Sequence, residues 1–336
     1  MLRRAPLAFC GALLAACGGG AGGTEAPAPP DSPSATSAGA FFPASAVWTR
    51  DVSAAALDPE SAAVTAFLDR VGWGTGEMRI DFSIEVLDGA SAPLRAFTPT
   101  EDHFLPDCDL DPVPVPAGGA LEGESGYECT SDGDCHLIVV DRPRGLLFEM
   151  WRADIRGTSF RGGCLAVWNL GRVYPPSGRG EQCTSADAAG YPMAPLLFTA
   201  DEVRGGRIDH AIRFILPNAR IRRGEYVHPA THGTRATTGP PDAPPYGTRL
   251  RLRSSFPLET LPSDGARAVA RAMQRYGMFL ADGGQIALTA RSDRSTAAKW
   301  SGLLGPRDLA LLRPRDFEMV EAGPRIPLTL DCVRNP

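Results

Sequence analysis

The sequence predicts a strand-rich α+β fold, an antiparallel sheet or sandwich with two or three helices, stapled by disulfides. Short runs that alternate apolar and polar residues outnumber the segments with helical spacing. Six cysteines follow Cys10 and Cys17, and an even number in an exported chain is typical of disulfides. Of the 336 residues, 43% are hydrophobic and 22% charged, which is ordinary for a globular domain.

Two segments have the spacing of amphipathic helices, residues 60–71 and 263–276, and a shorter one lies near 307–312. Asp58 and Pro59 suit the start of the first helix, Ser263 or Asp264 suits the cap of the second, and Gly277 suits its end. The alternating runs predict strands at residues 78–87, 136–140, 146–151, 165–170, 207–216, 249–253, 278–280 and 285–290. The second and third of these strands are joined by turn residues and predict a hairpin.

The N-terminus has the pattern of an export signal, with Arg3 and Arg4 before a short apolar run that ends at Cys17. The run resembles a bacterial lipobox, so we expect a signal peptide at 1–16 and a lipid on Cys17. A Gly-, Ala-, Pro- and Ser-rich tether would follow at 17–40, and a single globular domain at 41–336. The expected location is the outer membrane, at its periplasmic face or at the cell surface, with membrane contact only through the lipid. The alternative is an ordinary secretory signal that contains a cysteine.

The composition excludes several classes of partner. The formal net charge is -5 and no basic stripe occurs, so we expect no nucleic-acid binding. Nucleotide-binding glycine motifs, a Gly-x-Ser-x-Gly elbow and a His-Glu-x-x-His helix are missing from the sequence. We therefore expect no cofactor and no metal. Separately, we expect the protein to be a monomer.

The six cysteines allow 15 pairings. We expect one bridge around a tight loop, one across a longer loop and one that staples the C-terminus. The predicted pairs are Cys129–Cys135, Cys164–Cys183 and Cys108–Cys332. A zinc site is the alternative, but a Cys-x-x-Cys pair is missing from the sequence.

Asp187 is the first candidate for catalysis, because it lies in a turn of small residues that can display its carboxylate. As an acid in glycoside hydrolysis it would need a second carboxylate about 5–9.5 Å away. The available partners are Glu149, Asp209 and Asp282. Alternatively, Asp187 caps a short helix.

The histidines of the same region are the next candidates. His228 and His232 are four residues apart, but Pro229 lies between them and the glutamate of a zinc helix is missing. In a loop, His232 could still contribute to a polar cleft. His210 shares the apolar face of its predicted strand, which favours a buried, hydrogen-bonded histidine. The alternative is that His210 or His232 serves as the base of a lyase.

Arginine and tryptophan side chains are candidates for substrate binding. Arg249, Arg251 and Arg253 alternate along one strand and would form a cationic row for acidic sugars if their face is exposed. The alternative is that they pair with acids on adjacent strands. Arg213 lies opposite the apolar face of its strand, and Trp151 follows a carboxylate in a way that suits a sugar ring.

Several blocks of sequence resemble a family of secreted bacterial proteins, found also in some fungi and often beside carbohydrate-binding modules. The blocks are residues 184–190, 208–214, 228–232, 249–253 and 276–283. Relatives carry Asp-Asn-Gly where this chain has Asp282, Gly283 and Gly284. The resemblance points to extracellular polysaccharide, and together with the lipobox it gives the expectation of a surface lipoprotein that binds or cleaves polysaccharide, as a glycosidase or a lyase. The alternative is a non-enzymatic adhesion or structural lipoprotein.

Overall fold

A mixed six-stranded sheet and a four-stranded sheet form the centre of the protein. The computed structural model describes residues 41–131 and 133–335, so the predicted signal peptide, Cys17 and the tether lie outside the described residues. These described residues cluster as one compact unit. The predicted strand-rich α+β class is confirmed.

Three α-helices form within the described ranges: α1 (Ser61–Val71), α2 (Ala200–Arg204) and α3 (Asp264–Arg275). Short 3-10 turns occur at Val47–Thr49, Ala194–Leu196, Asn218–Arg220, Leu258–Thr260 and Pro314–Asp316. The predicted cap of α3 is confirmed, because the Ser263 hydroxyl accepts a hydrogen bond from the backbone N–H of Ala266. In the part of the chain that the structure describes, no helix has the length and apolar character needed to cross a bilayer.

The strands are β1 (Ile80–Ile84), β2 (Leu87–Asp88), β3 (Leu94–Arg95), β4 (Thr98–Pro99), β5 (Val113–Pro114), β6 (Leu137–Asp141), β7 (Leu146–Met150), β8 (Asp154–Arg156), β9 (Ser159–Gly162), β10 (Leu165–Asn169), β11 (Gly180–Glu181), β12 (Ile212–Leu216), β13 (Glu225–Tyr226), β14 (Arg249–Leu252), β15 (Met278–Gly283), β16 (Leu288–Arg291), β17 (Phe317–Met319), β18 (Ile326–Pro327) and β19 (Val333–Arg334). The six-stranded sheet has the order β1-β16-β12-β15-β14-β17 and combines parallel with antiparallel pairs. The four-stranded sheet has the order β10-β7-β6-β2.

The predicted hairpin is confirmed as β6 and β7, which pair antiparallel from Leu137 opposite Met150 to Asp141 opposite Leu146. In the larger sheet, α3 leads into β15, which lies parallel to β12. One large apolar core joins the two sheets and the helices, and a second, smaller core lies behind the hairpin. Both faces of β12 and β14 are therefore covered by protein.

The structure corrects two of the three predicted disulfides. Cys129–Cys135 is confirmed, but the other bridges are Cys108–Cys164 and Cys183–Cys332, with Cα atoms 5.1 and 4.4 Å apart. The proline-rich segment runs beside β10, where the Asp109 backbone N–H donates to the carbonyl of Leu165, so Cys108 meets Cys164. The pairing of β11 with β19 brings the remaining two cysteines together.

Candidate functional site

Arg213 on β12 is the centre of a buried group of polar side chains. Its guanidinium donates Nε and Nη2 hydrogen bonds to the two oxygens of Asp187, at 3.2 and 2.9 Å. Nη2 also donates to Asp282 Oδ2 at 3.2 Å, and Nη1 to the Thr289 hydroxyl at 3.1 Å. Because β16, β12 and β15 are neighbours in the sheet, three adjacent strands supply Thr289, Arg213 and Asp282, and the 184–190 turn supplies Asp187. Arg213 was predicted to bind substrate, but it is buried and paired with these two carboxylates.

Asp187 lies in the turn of small residues that the sequence singled out, yet its carboxylate points into the protein and is 0% exposed. The Ser185 hydroxyl accepts a hydrogen bond from the Asp187 backbone N–H. Gly190 closes the turn with a φ of +78°, and a Cβ there would lie 2.1 Å from Thr231 Oγ1. The expectation of a displayed carboxylate is wrong, and so is that of a helix cap, because the partner of the Asp187 carboxylate is Arg213.

Asp282, at the end of β15, is the member of this group that reaches the surface, with 21% of its side chain exposed. Burial and the nearby charge of Asp187 raise the pKa of Asp282 to about 7, against the opposing effect of Arg213. The Arg213 Nη2 atom contacts both carboxylates, so their oxygens lie within about 6 Å of each other, in the range of paired carboxylates in glycosidases. Asp282 was one of the three partners proposed for Asp187.

Glu122 is a third carboxylate near Arg213, and it is held by His136. The His136 Nδ1 donates to Glu122 Oε2 at 2.5 Å and Nε2 donates to the carbonyl of Ala186 at 2.9 Å. Both ring nitrogens therefore need a proton. Burial opposes this charge, but the Glu122 carboxylate raises the pKa of His136 to about 9. The positive charges of His136 and Arg213 in turn lower the pKa of Glu122 in spite of burial.

Trp151 and Asp134 form the exposed rim beside these acids. The Trp151 indole N–H donates to Asp134 Oδ1 at 2.9 Å, and the ring is only partly buried. Asp134 is exposed, and its charge contributes to the raised pKa of Asp282. An aromatic face and a carboxylate therefore border the same polar region, which is a usual arrangement for a sugar ring.

Glu149 on β7 lies deeper and is 0% exposed. Its Oε1 accepts hydrogen bonds from the backbone N–H groups of Met193 and Ala194, at 2.9 and 2.8 Å. Burial raises the pKa of Glu149 to about 7, although these hydrogen bonds act in the opposite direction. Because Glu149 is fully buried, it contacts no solvent. Its hydrogen bonds hold the 3-10 turn at Ala194–Leu196.

The two predicted histidines lie in different places. The His232 Nδ1 donates to the carbonyl of Ala188 at 2.8 Å, so the 228–232 loop packs on the Asp187 turn. This bond leaves Nε2 as an acceptor, and burial lowers the pKa of His232. His210 instead pairs with Glu202 at 3.3 Å and with the carbonyl of Ala211. Both of its nitrogens are engaged, so its position does not support the predicted role as a base.

Two members of the predicted cationic row are buried, Arg249 at 6% and Arg251 at 7% exposure, whereas 42% of the Arg253 side chain is exposed. Arg251 and Arg253 pair with Glu318 on the adjacent β17, which was the alternative interpretation. A role of Arg251 in substrate binding is therefore not supported. Arg249 differs from both, because it donates to the backbone carbonyls of Tyr276, Val47 and Arg50.

Two groups of potential metal ligands occur among the described residues. One joins Asp107 to Cys183 and Cys332, and the other joins Glu124 to Cys129 and Cys135. Both pairs of cysteines are disulfides, which do not offer the thiolates that metals bind. The donors that remain in each group are single carboxylates.

Comparison of the chain with protein-family models, with curated proteins and with solved structures finds no match in any of the three. The resemblance inferred from the sequence blocks therefore stays a prediction, and the site has to be interpreted from its own chemistry. Sequence reasoning missed Glu122 and His136, which lie in loops without a recognisable motif. Their pairing depends on a contact between residues 14 positions apart and on the buried carbonyl of Ala186.

Proposed function

We propose that the protein hydrolyses glycosidic bonds in an extracellular polysaccharide, with Asp282 as the acid and Glu122 as the base. The observation that carries the proposal is the opposite displacement of two pKa values around one guanidinium. The pKa of Asp282 is raised to about 7, so near neutral pH a large fraction of it holds a proton. The pKa of Glu122 is lowered, so it is ionised under the same conditions. Such pairs of acids indicate acid and base roles.

The reaction requires a protonated Asp282 and an ionised Glu122 at the same time. The Asp282 carboxyl gives its proton to the glycosidic oxygen, the bond from that oxygen to the anomeric carbon breaks, and the leaving sugar departs as an alcohol. Glu122 accepts a proton from the water that adds to the anomeric carbon. Each cycle consumes one water, and the two acids exchange their protons with solvent. Asp187 and Arg213 are positioning residues that hold Asp282 and its proton.

The exposed rim supports a saccharide as substrate. Trp151 offers a partly exposed ring beside Asp134, and sugars bind through ring-face contacts combined with hydrogen bonds to carboxylates. A lyase that uses His210 as its base and Arg251 to bind its substrate is supported less well, because His210 is fully engaged and Arg251 is paired with Glu318. We retain the sequence-based proposal that a lipid on Cys17 holds the protein at the outer membrane. Labelling with radioactive palmitate, absent in Cys17→Ser, tests that location.

Release of reducing ends from a panel of neutral and acidic polysaccharides tests the hydrolase proposal. We expect Asp282→Asn and Glu122→Gln each to lower kcat by about 100-fold or more, as for loss of a general acid or base. The rate of the parent should fall above about pH 7, as Asp282 loses its proton. Glu259→Gln, at an exposed carboxylate outside the site, is the matched control and should leave the rate unchanged.

Two results would contradict the proposal. Unchanged turnover in Asp282→Asn would exclude Asp282 as the acid. Saccharide binding without any release of reducing ends would favour the alternative of a non-enzymatic surface protein. That alternative is consistent with the complete burial of Asp187, because a buried ion pair can serve the fold alone.

A further inference from the structure

An open groove of about 630 Å³ lies outside the acidic site. Its walls come from the 44–56 segment, the loop at 174–176, the 228–229 loop and residues 320–322. Arg249 and Phe279, which are neighbours on β14 and β15, lie at its inner side, with the guanidinium 4.7 Å from the ring centroid. A volume of this size accommodates a ligand of several rings.

Arg249 is a buried cation without a counterion. Among residues 41–131 and 133–335, no carboxylate lies within ion-pair distance of it, whereas Arg251 on the same face of β14 pairs with Glu318. Three of its N–H groups donate to backbone carbonyls. A guanidinium has five N–H donors, so two remain for a ligand. Because an unpaired buried charge is costly, this arrangement favours an anion from outside.

The other charged groups of the groove agree with this interpretation. Arg50 is exposed, lines the groove, and has no ion pair with another described residue. Burial and the positive charge of Arg50 lower the pKa of Arg249 to about 9, so Arg249 is still charged near neutral pH. His228 is engaged by Glu181 at 3.0 Å, and Glu321 is the carboxylate among the residues that line the groove. The groove is therefore lined by two arginines and one carboxylate, an excess of positive charge.

We propose that this groove binds a carboxylate of the saccharide through Arg249 and Arg50, so the polysaccharide is a polyuronate. This inference rests on the proposed function, which it deepens by naming the substrate class. Arginine binds carboxylates through two parallel hydrogen bonds, which fits the two donors left on Arg249. The Phe279 ring contacts the Arg249 guanidinium at 4.7 Å in a cation–π arrangement, which helps to position it. The groove thus prefers acidic polysaccharide chains over neutral ones, and the carboxylic acids near Arg213 cleave the bound acidic chain.

Isothermal titration calorimetry of the full chain with trigalacturonate, and with neutral galactotriose, tests the proposal without requiring turnover. We expect trigalacturonate to bind at least ten times more tightly than galactotriose. Arg50→Gln should lower the affinity for trigalacturonate by about ten-fold, as for loss of one charge-assisted contact. Glu321→Gln should raise this affinity, because it removes a negative charge that repels the ligand. Arg223→Gln, at an exposed arginine outside the groove, is the control and should bind as the parent does.

Arg249→Gln leaves three carbonyls with weaker partners and could unfold the protein, which is why the exposed Arg50 and Glu321 carry the test. Equal affinity for the two trisaccharides, or no effect of Arg50→Gln, would overturn the proposal. Sulfate that binds as tightly as trigalacturonate would overturn its saccharide part. Charge-dependent binding without turnover would support the carboxylate-binding groove and contradict the hydrolase proposal. Turnover that is insensitive to Arg50→Gln would support the hydrolase proposal and contradict the carboxylate-binding groove.

Discussion

Replacing Glu149 by Gln should make the stability of the folded protein less dependent on pH. The pKa of Glu149 rises from 4.5 to about 7, because burial disfavours its charged form. Folding therefore favours the protonated acid, and its contribution is complete below about pH 4.5. The contribution is lost as the pH rises through about 7. At 1.36 kcal/mol per pH unit this interval corresponds to about 3 kcal/mol.

Glutamine keeps the carbonyl oxygen that accepts from Met193 and Ala194 and carries no charge at any pH. Urea unfolding of parent and Glu149→Gln with the disulfides intact, at pH 4.5 and 8.5, measures the difference. We expect similar stabilities at pH 4.5 and a variant more stable by about 3 kcal/mol at pH 8.5. Glu259→Gln should show no such change. A stability difference that is the same at both pH values would refute the buried-acid argument.

The remaining predictions concern Asp187 and the disulfides. Asp187→Asn leaves a buried guanidinium with one carboxylate fewer and should lower the free energy of unfolding by about 3–5 kcal/mol, measured by urea denaturation. In the same variant the pH above which activity falls should move below about 7, since the Asp187 charge that raises the pKa of Asp282 is gone. If this pH did not change, Asp187 would not control the protonation of Asp282. Replacing Cys183 and Cys332 by Ala should lower the free energy of unfolding by about 5 kcal/mol, because this bridge closes a loop of 149 residues. Replacing Cys129 and Cys135 should lower it by about 2 kcal/mol, because that bridge closes a loop of 6 residues. Equal losses in thermal or urea unfolding would contradict the loop-length argument.

Local sequence signals predicted the elements that depend on local contacts. The β6–β7 hairpin and the Ser263 cap of α3 follow from turn residues and helical spacing, and both are present. The bridge between Cys129 and Cys135 closes a short loop and was predicted for that reason. The other two bridges depend on which distant segments become neighbours. The path of the proline-rich segment beside β10 is a tertiary contact that spacing does not encode.

The predicted orientation of the polar side chains failed for a different reason. Alternation of apolar and polar residues identifies the two faces of a strand. It shows which face is exposed to solvent only in a sheet that packs on the core with one face and leaves the other face solvated. All four residues of β14 are buried, and so are Ile212, Arg213 and Phe214 on β12. The polar face of the larger sheet is therefore an interior surface. Arg251 consequently finds Glu318, and Arg213 finds Asp187, instead of solvent or substrate.

This interior polar face explains how the acid of the candidate site keeps its proton. Arg213 contacts two carboxylates with a single positive charge, so the group would carry a net negative charge if both were ionised. In a buried setting that excess is costly, and uptake of one proton relieves it. Asp187 receives two hydrogen bonds from Arg213 and Asp282 receives one, so the proton is held more favourably on Asp282. Asp282 is also the carboxylate that solvent reaches, which places the exchangeable proton where a substrate could take it.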